Sequence, residues 1–249
     1  MSGSLDGRIA LVTGGSRGIG AAIALAFARE GARVAICGRH EETLKEVAQQ
    51  GEGRILPIAC HVGRAEEIAR LAETVERELG PLEILVNNAA TIVQQGPCLE
   101  ATVAQFDKMI ELNLKSAFRL ISRFAPGMCE RGRGSIINIA SVAGIQPQLE
   151  SLLYSMTKAA LVMMTRSYAL ELGPYGVRVN AIAPGLIETK LSEYFWKDPE
   201  RREQHFGRQP IGRLGQPEDI AGLAVLLAGD AGSYITGSVM PADGGLLLA

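Results

Sequence analysis

Cysteine is scarce: four in 249 residues, at 37, 60, 98 and 129, with no CxxC pair. That argues against a zinc ribbon or a disulfide scaffold and fits a reducing compartment. The three histidines, at 40, 61 and 205, lack ligand-like spacing, so no metal site is expected. No apolar run reaches the length of a membrane span; the most apolar, 220–228, lies between Asp219 and Asp230. The opening MSGSLDGR has no apolar signal core, and the closing GLLLA is not a peroxisomal SKL-type address. Neither sign of charge dominates, 25 Lys+Arg against 27 Asp+Glu, so neither nucleic acid nor a membrane surface is an expected partner. No Pro/Ser-rich linker, low-complexity stretch or repeat divides the chain. One soluble cytoplasmic domain over 1–249 is expected.

What is present is apolar material, 47% of residues, in a regular alternation. Apolar β-branched runs at 9–13, 34–37, 55–60, 84–87, 135–140 and 177–183 read as strands, with a last short strand near 235–240. Their near-continuous apolar character suits parallel strands covered on both faces. Helical patterns lie between them, at about 18–30, 41–50, 65–79, 102–131, 152–173 and 217–229. The expected fold is α/β: a single doubly wound Rossmann domain, its seven-stranded sheet mostly parallel, with helices on both faces. The stretch at about 186–214 is polar, has no strand of its own and carries the only tryptophan, so it reads as a lid over a substrate.

The first strand runs into Thr13-Gly14-Gly15-Ser16-Arg17-Gly18-Ile19-Gly20 and then an Ala-rich helix. Gly14, Gly18 and Gly20 permit a sharp turn and close backbone approach to a pyrophosphate, which the helix N-terminus then holds. At the end of the second strand an acid would bind the ribose 2′-hydroxyl of NAD, whereas a base would accept a 2′-phosphate. Gly38 stands where the acid is expected and Arg39 follows; Arg17 can clamp the same phosphate from the other side. Unless the two arginines are merely solvated, the cofactor is NADP(H).

Tyr154 and Lys158 are spaced i,i+4 on one helix face, where an ammonium would lower the pKa of the phenol. Ser141, just past a strand's C-terminal end, can bond a substrate carbonyl, or simply begin a turn before Gly144. Asn113 lies on the apolar stripe of its helix, either a satisfied core amide or the holder of a water that relays protons to Lys158.

Together these residues resemble the short-chain dehydrogenase/reductase family over about 6–245. The match consists of TGGSRGIG (13–20), NNAA (87–90), Asn113, Ser141, YSMTK (154–158), PG (184–185) and Thr189, in the family's order and spacing. The resemblance implies that Tyr154 is the general acid/base and that Lys158 binds the nicotinamide ribose and lowers the tyrosine pKa. It further implies that Ser141 positions the carbonyl and that Asn113 supports the proton relay. Ser16, Ile19, Val62, Asn88 and Ala89 would join the glycine turn in holding the cofactor, with Pro184, Gly185, Ile187 and Thr189 at its nicotinamide end. A homotetramer with paired long helices is implied as well. The sequence departs from the family at NNAA, where NNAG is commoner, and at His61, where many members carry an aspartate against the adenine. Gly38-Arg39 matches its NADP-preferring members. CHVGRAEE (60–67), FWKDPE (195–200) and SYITG (233–237) are similar to NADPH-dependent carbonyl and retinal reductases.

Tyr194, Phe195, Trp196 and Phe206 place four of the chain's aromatics in the lid, either as packing or as the wall of a lipophilic substrate site. The expected activity is carbonyl reduction on a small, lipophilic ketone or aldehyde. Two alternatives stand beside it. A 3-oxoacyl-[acyl-carrier-protein] reductase would need a basic docking surface, for which Arg123, Arg131 and Arg133 are candidates. A non-catalytic dinucleotide-binding subunit would have no need for a lysine beside its tyrosine.

Overall fold

The computed structural model describes residues 3–207 and 209–248, with backbone alone at 204–206; the side chains of His205 and Phe206 therefore lie outside the described residues. Seven strands form one sheet: β1 (Ile9–Thr13), β2 (Arg33–Gly38), β3 (Ile55–Ala59), β4 (Ile84–Asn87), β5 (Gly134–Ile139), β6 (Val177–Pro184) and β7 (Val239–Ala242). The order is β3-β2-β1-β4-β5-β6-β7, and every pairing is parallel.

Side chains alternate across the sheet with period two, and both faces are apolar. Ala10 and Val12 of β1 face one core with Ile36, Val86 and Ile137. That core is covered by α1 (Gly18–Arg29), α2 (Glu41–Gln49) and α9 (Pro217–Ala228) through Phe27, Leu44 and Leu227. Ile9 and Leu11 face the opposite core with Cys37, Leu85 and Val179. It is covered by α3 (Ala65–Glu78), α5 (Ser116–Glu130) and α6 (Leu152–Leu172) through Leu71, Phe124 and Ala169. Parallel pairing requires such crossovers, and the helices on both faces bury the central strands while the edge strands β3 and β7 stay partly exposed. The chain's two halves diverge between β1 and β4, which makes the carboxyl edge there the ligand crevice of this architecture.

Two elements differ from the sequence expectation. The helix read at 102–131 is α4 (Val103–Ile110) and α5 joined by one π turn, Glu111–Lys115, which contains Asn113. The final strand begins at Val239, not 235. Ile235 and Thr236 are spent on side-chain bonds to β6: the Asn180 amide donates to the Ile235 carbonyl, and Val179 N donates to the Thr236 hydroxyl. The 186–214 segment forms two short helices, α7 (Glu193–Trp196) and α8 (Pro199–Phe206), and a bridge ties Ile187 to Gly215.

Candidate active site

The floor of the crevice is built by Thr13 and Asn88. The buried Thr13 hydroxyl donates to the Val86 carbonyl and accepts from Asn88 N and Ala89 N, both at 3.0 Å. Asn88 Nδ2 donates in return to the Thr13 carbonyl at 2.8 Å and the Gly14 carbonyl at 3.2 Å. The glycine turn is thereby tied to the end of β4. Gly14 and Gly18 have φ of +66° and +54°, which favour glycine. A Cβ at Gly20 would overlap the Gly14 carbonyl. The turn delivers the chain into α1, whose first turn carries no acid and whose N-cap, Arg17, makes no side-chain cap. Free N–H groups therefore face the crevice, as anion binding requires.

Beside this turn, a Cβ at Gly38 would make only ordinary contacts, 3.5 Å from Leu44 and 3.6 Å from the Ser16 hydroxyl. Arg17 and Arg39 are exposed, and neither forms an ion pair among the described residues. A glycine cradle and an uncapped helix fit the pyrophosphate of a dinucleotide. Val62, expected among the residues that hold the cofactor, is buried in the core with Cys60. The neighbouring His61 imidazole accepts from Gly63 N at 3.2 Å, and His61 N donates to Glu67 at 2.6 Å.

Ser141, Tyr154 and Lys158 meet over the ends of β5 and β6. Ser141 follows β5 with extended backbone, and its hydroxyl accepts from Ala143 N at 3.1 Å and bonds the Tyr154 phenol. Helix α6 comes this close because Gly144 has no side chain; a Cβ there would meet the Lys158 backbone at 2.6 Å. Lys158 is buried. Its ammonium donates to the Ile139 carbonyl at 2.7 Å and lies 5.5 Å from the centre of the Tyr154 ring. Burial pushes the phenol up to about 12, with the Ser141 bond the one opposing influence, and pushes Lys158 down to about 8. The expected lowering of the tyrosine by the lysine is not found here: burial raises the phenol, and the influence that opposes it comes from Ser141.

Asn113 is a fully partnered amide. It accepts from Thr91 N at 2.8 Å and donates to the Thr91 carbonyl at 2.9 Å and the Thr157 hydroxyl at 3.2 Å. Through these bonds the side chain braces the 91 loop against α6.

Ser141, Tyr154 and Lys158 border a cleft of about 100 Å³ that also takes in Ile19, Asn88, Pro184, Gly185, Ile187 and Thr189, but not Asn113. Ala89 does not border it. Gln148, Ser151, Leu191 and Phe195 also border the cleft, and sequence reasoning singled out only Phe195 among them. The 186–214 segment is docked beside it: Trp196 Nε1 donates to the Thr189 carbonyl at 3.1 Å, and the Tyr194 hydroxyl donates to Glu150 at 3.0 Å. An apolar cavity of about 550 Å³, walled by Ile145, Leu149, Leu152 and Met156, shares Gln148 with the cleft.

Comparison with known proteins follows the same outline. Residues 14–247 match the family model described as Enoyl-(Acyl carrier protein) reductase. The chain is 37% identical over 244 residues to human Dehydrogenase/reductase SDR family member 4, covering 97% of this chain and 88% of that protein. It is 37% identical over 248 residues to the 3-oxoacyl-[acyl-carrier-protein] reductase FabG of Thermotoga maritima, covering 98% and 99%. A crystal structure from Beutenbergia cavernae, described as an NAD(P)-dependent gluconate 5-dehydrogenase with NADP bound at low occupancy, superimposes with a TM-score of 0.92 at 37% identity, covering 98% of both chains.

Proposed function

The chain belongs to the short-chain dehydrogenase/reductase family of oxidoreductases, and we propose that it is an NADP(H)-dependent carbonyl reductase that runs the reverse alcohol oxidation when concentrations favour it. The observation that carries this reading is the convergence of Ser141, Tyr154 and Lys158 on one cleft at the carboxyl edge of the sheet. When bound, the nicotinamide dinucleotide supplies the hydride. The Gly14–Gly20 turn, Asn88 and Lys158 would hold it, and Arg17 and Arg39 would meet its 2′-phosphate.

The Ser141 hydroxyl donates to the substrate carbonyl oxygen. Tyr154, protonated at neutral pH with its pKa near 12, gives its proton to the alkoxide as it forms. Lys158 resupplies that proton from an ammonium that exchanges near pH 8. Asn113 is a positioning residue that acts through Thr91 and Thr157. Phe195 and the neighbouring apolar cavity fit the apolar part of a lipophilic ketone or aldehyde.

The reading extends to a cytoplasmic homotetramer. Met156, Met163 and Leu170 leave an apolar stripe exposed on the long helix α6, which suits pairing with the same helix of a second copy. Sedimentation should then give four times the chain mass. Among the described residues no helix is long and apolar enough to cross a membrane.

The acyl-carrier-protein alternative has less support. Arg123 pairs with Glu76, Arg131 donates to the Leu82 carbonyl, and Arg133 pairs with Glu83, so each arginine is engaged within the chain. Acetoacetyl thioesters against free ketones discriminate the two readings. The decisive variant is Tyr154→Phe, expected to lose at least a hundredfold in kcat with either cofactor direction while NADPH still binds. Wild-type turnover by that variant would refute the assignment.

A further inference from the structure

The glycine turn and the 186–214 segment touch at one point: a Cβ on Gly18 would meet the Thr189 methyl at 3.2 Å. Arg17 precedes that glycine and Lys190 follows that threonine. Both residues are exposed and both border a cavity of about 580 Å³. Neither side chain forms an ion pair among the described residues. The other charges of the wall are engaged with one another. Lys197 donates to Glu193 at 2.8 Å, and Asp198 accepts from Glu200 N and Arg201 N at 3.0 and 3.2 Å. Arg201 lies 3.7 Å from both Asp198 and Glu150. The Lys197 bond holds the Glu193 carboxyl below its ordinary range, and Lys190 adds to this only through space. Four cations, Arg17, Lys190, Lys197 and Arg201, thus face two carboxylates, Glu193 and Asp198, and the excess positive charge belongs to Arg17 and Lys190.

This cavity adjoins the catalytic cleft, since Ile92 and Leu191 border both. The apolar cavity adjoins the same cleft at another place, Gln148. The cleft, about 100 Å³, is small beside an ordinary ligand pocket of roughly 300–1,000 Å³. It therefore holds a reacting carbonyl and little else, and the rest of a substrate must extend into a neighbouring space. One neighbour is apolar and the other is cationic. Cations that face a shared concavity focus a positive potential in it, which an anion relieves while forming charge-assisted bonds.

We propose that the cavity between the glycine turn and the 186–214 segment binds a carboxylate of the substrate at Lys190, with Arg17 adding its field from the turn, so that oxo acids are the preferred substrate class. The proposal rests on the carbonyl-reductase reading above and adds a charge requirement to it. The acid stands several bonds from the reacting carbonyl, and the methylene chain between them passes Ile92 and Leu191, which keeps the lipophilic part of that reading.

The test compares the oxo acids from 4-oxopentanoate to 7-oxooctanoate with their methyl esters, which keep the carbon chain and lose the charge, using NADPH and the intact enzyme. Wild type should favour at least one acid over its ester about tenfold in kcat/KM at low ionic strength, and less in about 0.5 M salt, because exposed charges are screened. Lys190→Met should remove that preference, Lys190→Arg should keep it, and Lys190→Glu should reverse it. None of the three should lower the melting temperature, since the ammonium has no ion pair to lose. A wild type that favours no acid over its ester, or a ratio unchanged by Lys190→Met in an enzyme that reduces the esters, overturns the proposal and leaves the carbonyl-reductase reading standing. So does an equal rise in the KM for NADPH with acid and ester, which would assign Lys190 to the phosphates of the dinucleotide. A wild-type enzyme that binds NADPH yet reduces no carbonyl overturns both.

Discussion

The Lys158 ammonium donates to the Ile139 carbonyl at 2.7 Å, which places a buried cation on the last residue of β5. Burial lowers its pKa to about 8 from the 10.5 of a free lysine. Between those values the unfolded chain binds a proton that the folded one does not, so this group's contribution to stability rises with pH from about 8 to about 10.5. Below pH 8 both states are protonated and the desolvation cost is paid in full. Lys158→Met removes the titration. Measured by chemical denaturation, the stability of wild type relative to this variant should improve by about 2 kcal/mol between pH 7 and pH 10. A constant difference would show that the ammonium is solvated.

Cofactor choice rests on charge at two loops. Arg39→Ala should weaken NADPH binding about tenfold and leave NADH within twofold, since a charge-assisted bond to phosphate contributes about 1.5–3 kcal/mol. Arg39→Asp should go further and favour NADH. Arg17→Ala should weaken NADPH as well, with a smaller change in preference because the residue also stands beside the pyrophosphate turn. Titration of each variant with both dinucleotides checks this; an unmoved ratio places the 2′-phosphate elsewhere.

Two glycines make opposite cases. A Cβ at Gly20 would overlap the Gly14 carbonyl and crowd Asn88 Nδ2 at 2.5 Å. Gly20→Ala should cost about 1–3 kcal/mol and damage cofactor binding. Gly222, exposed within α9, meets nothing within 4 Å. Gly222→Ala should stabilise by about 0.5–1 kcal/mol through the unfolded chain's lost freedom. Thermal melts of the two variants should move in opposite directions.

The strands and the glycine turn were legible because period and punctuation are local: the apolar run of β1 and Gly14, Gly18 and Gly20 sit within twelve residues of one another. Tyr154 and Lys158 were legible as neighbours for the same reason. What was not legible depended on distant partners. The spacing gave no sign that Lys158 would reach across to Ile139, nor that Gln94, not the N-cap Ser151, would accept from Leu153 N in the first turn of α6. The π turn at 111–115 was hidden because Phe106, Ile110, Ala117 and Leu120 keep an apolar stripe through it. The start of β7 was misjudged because Thr236 looks like a strand residue, while its hydroxyl is engaged by β6.

The 186–214 segment, the lid of the proposed reading, is tied to the loop before α6 through Glu150. Its carboxylate accepts from the Tyr194 hydroxyl at 3.0 Å and faces Arg201 Nε at 3.7 Å, and the Arg201 guanidinium stacks 3.8 Å from the Tyr194 ring. Glu150 holds this position with φ of +57°, a conformation that favours glycine. Latch and backbone strain separate in two variants. Glu150→Ala and Glu150→Gly both delete the carboxylate, so both should raise KM for the carbonyl several-fold without a matching fall in kcat. Only alanine keeps the strain, so the glycine variant should be the more stable of the two by about 1 kcal/mol. Should KM return to wild type in Glu150→Gly, the backbone rather than the carboxylate would be what holds the lid.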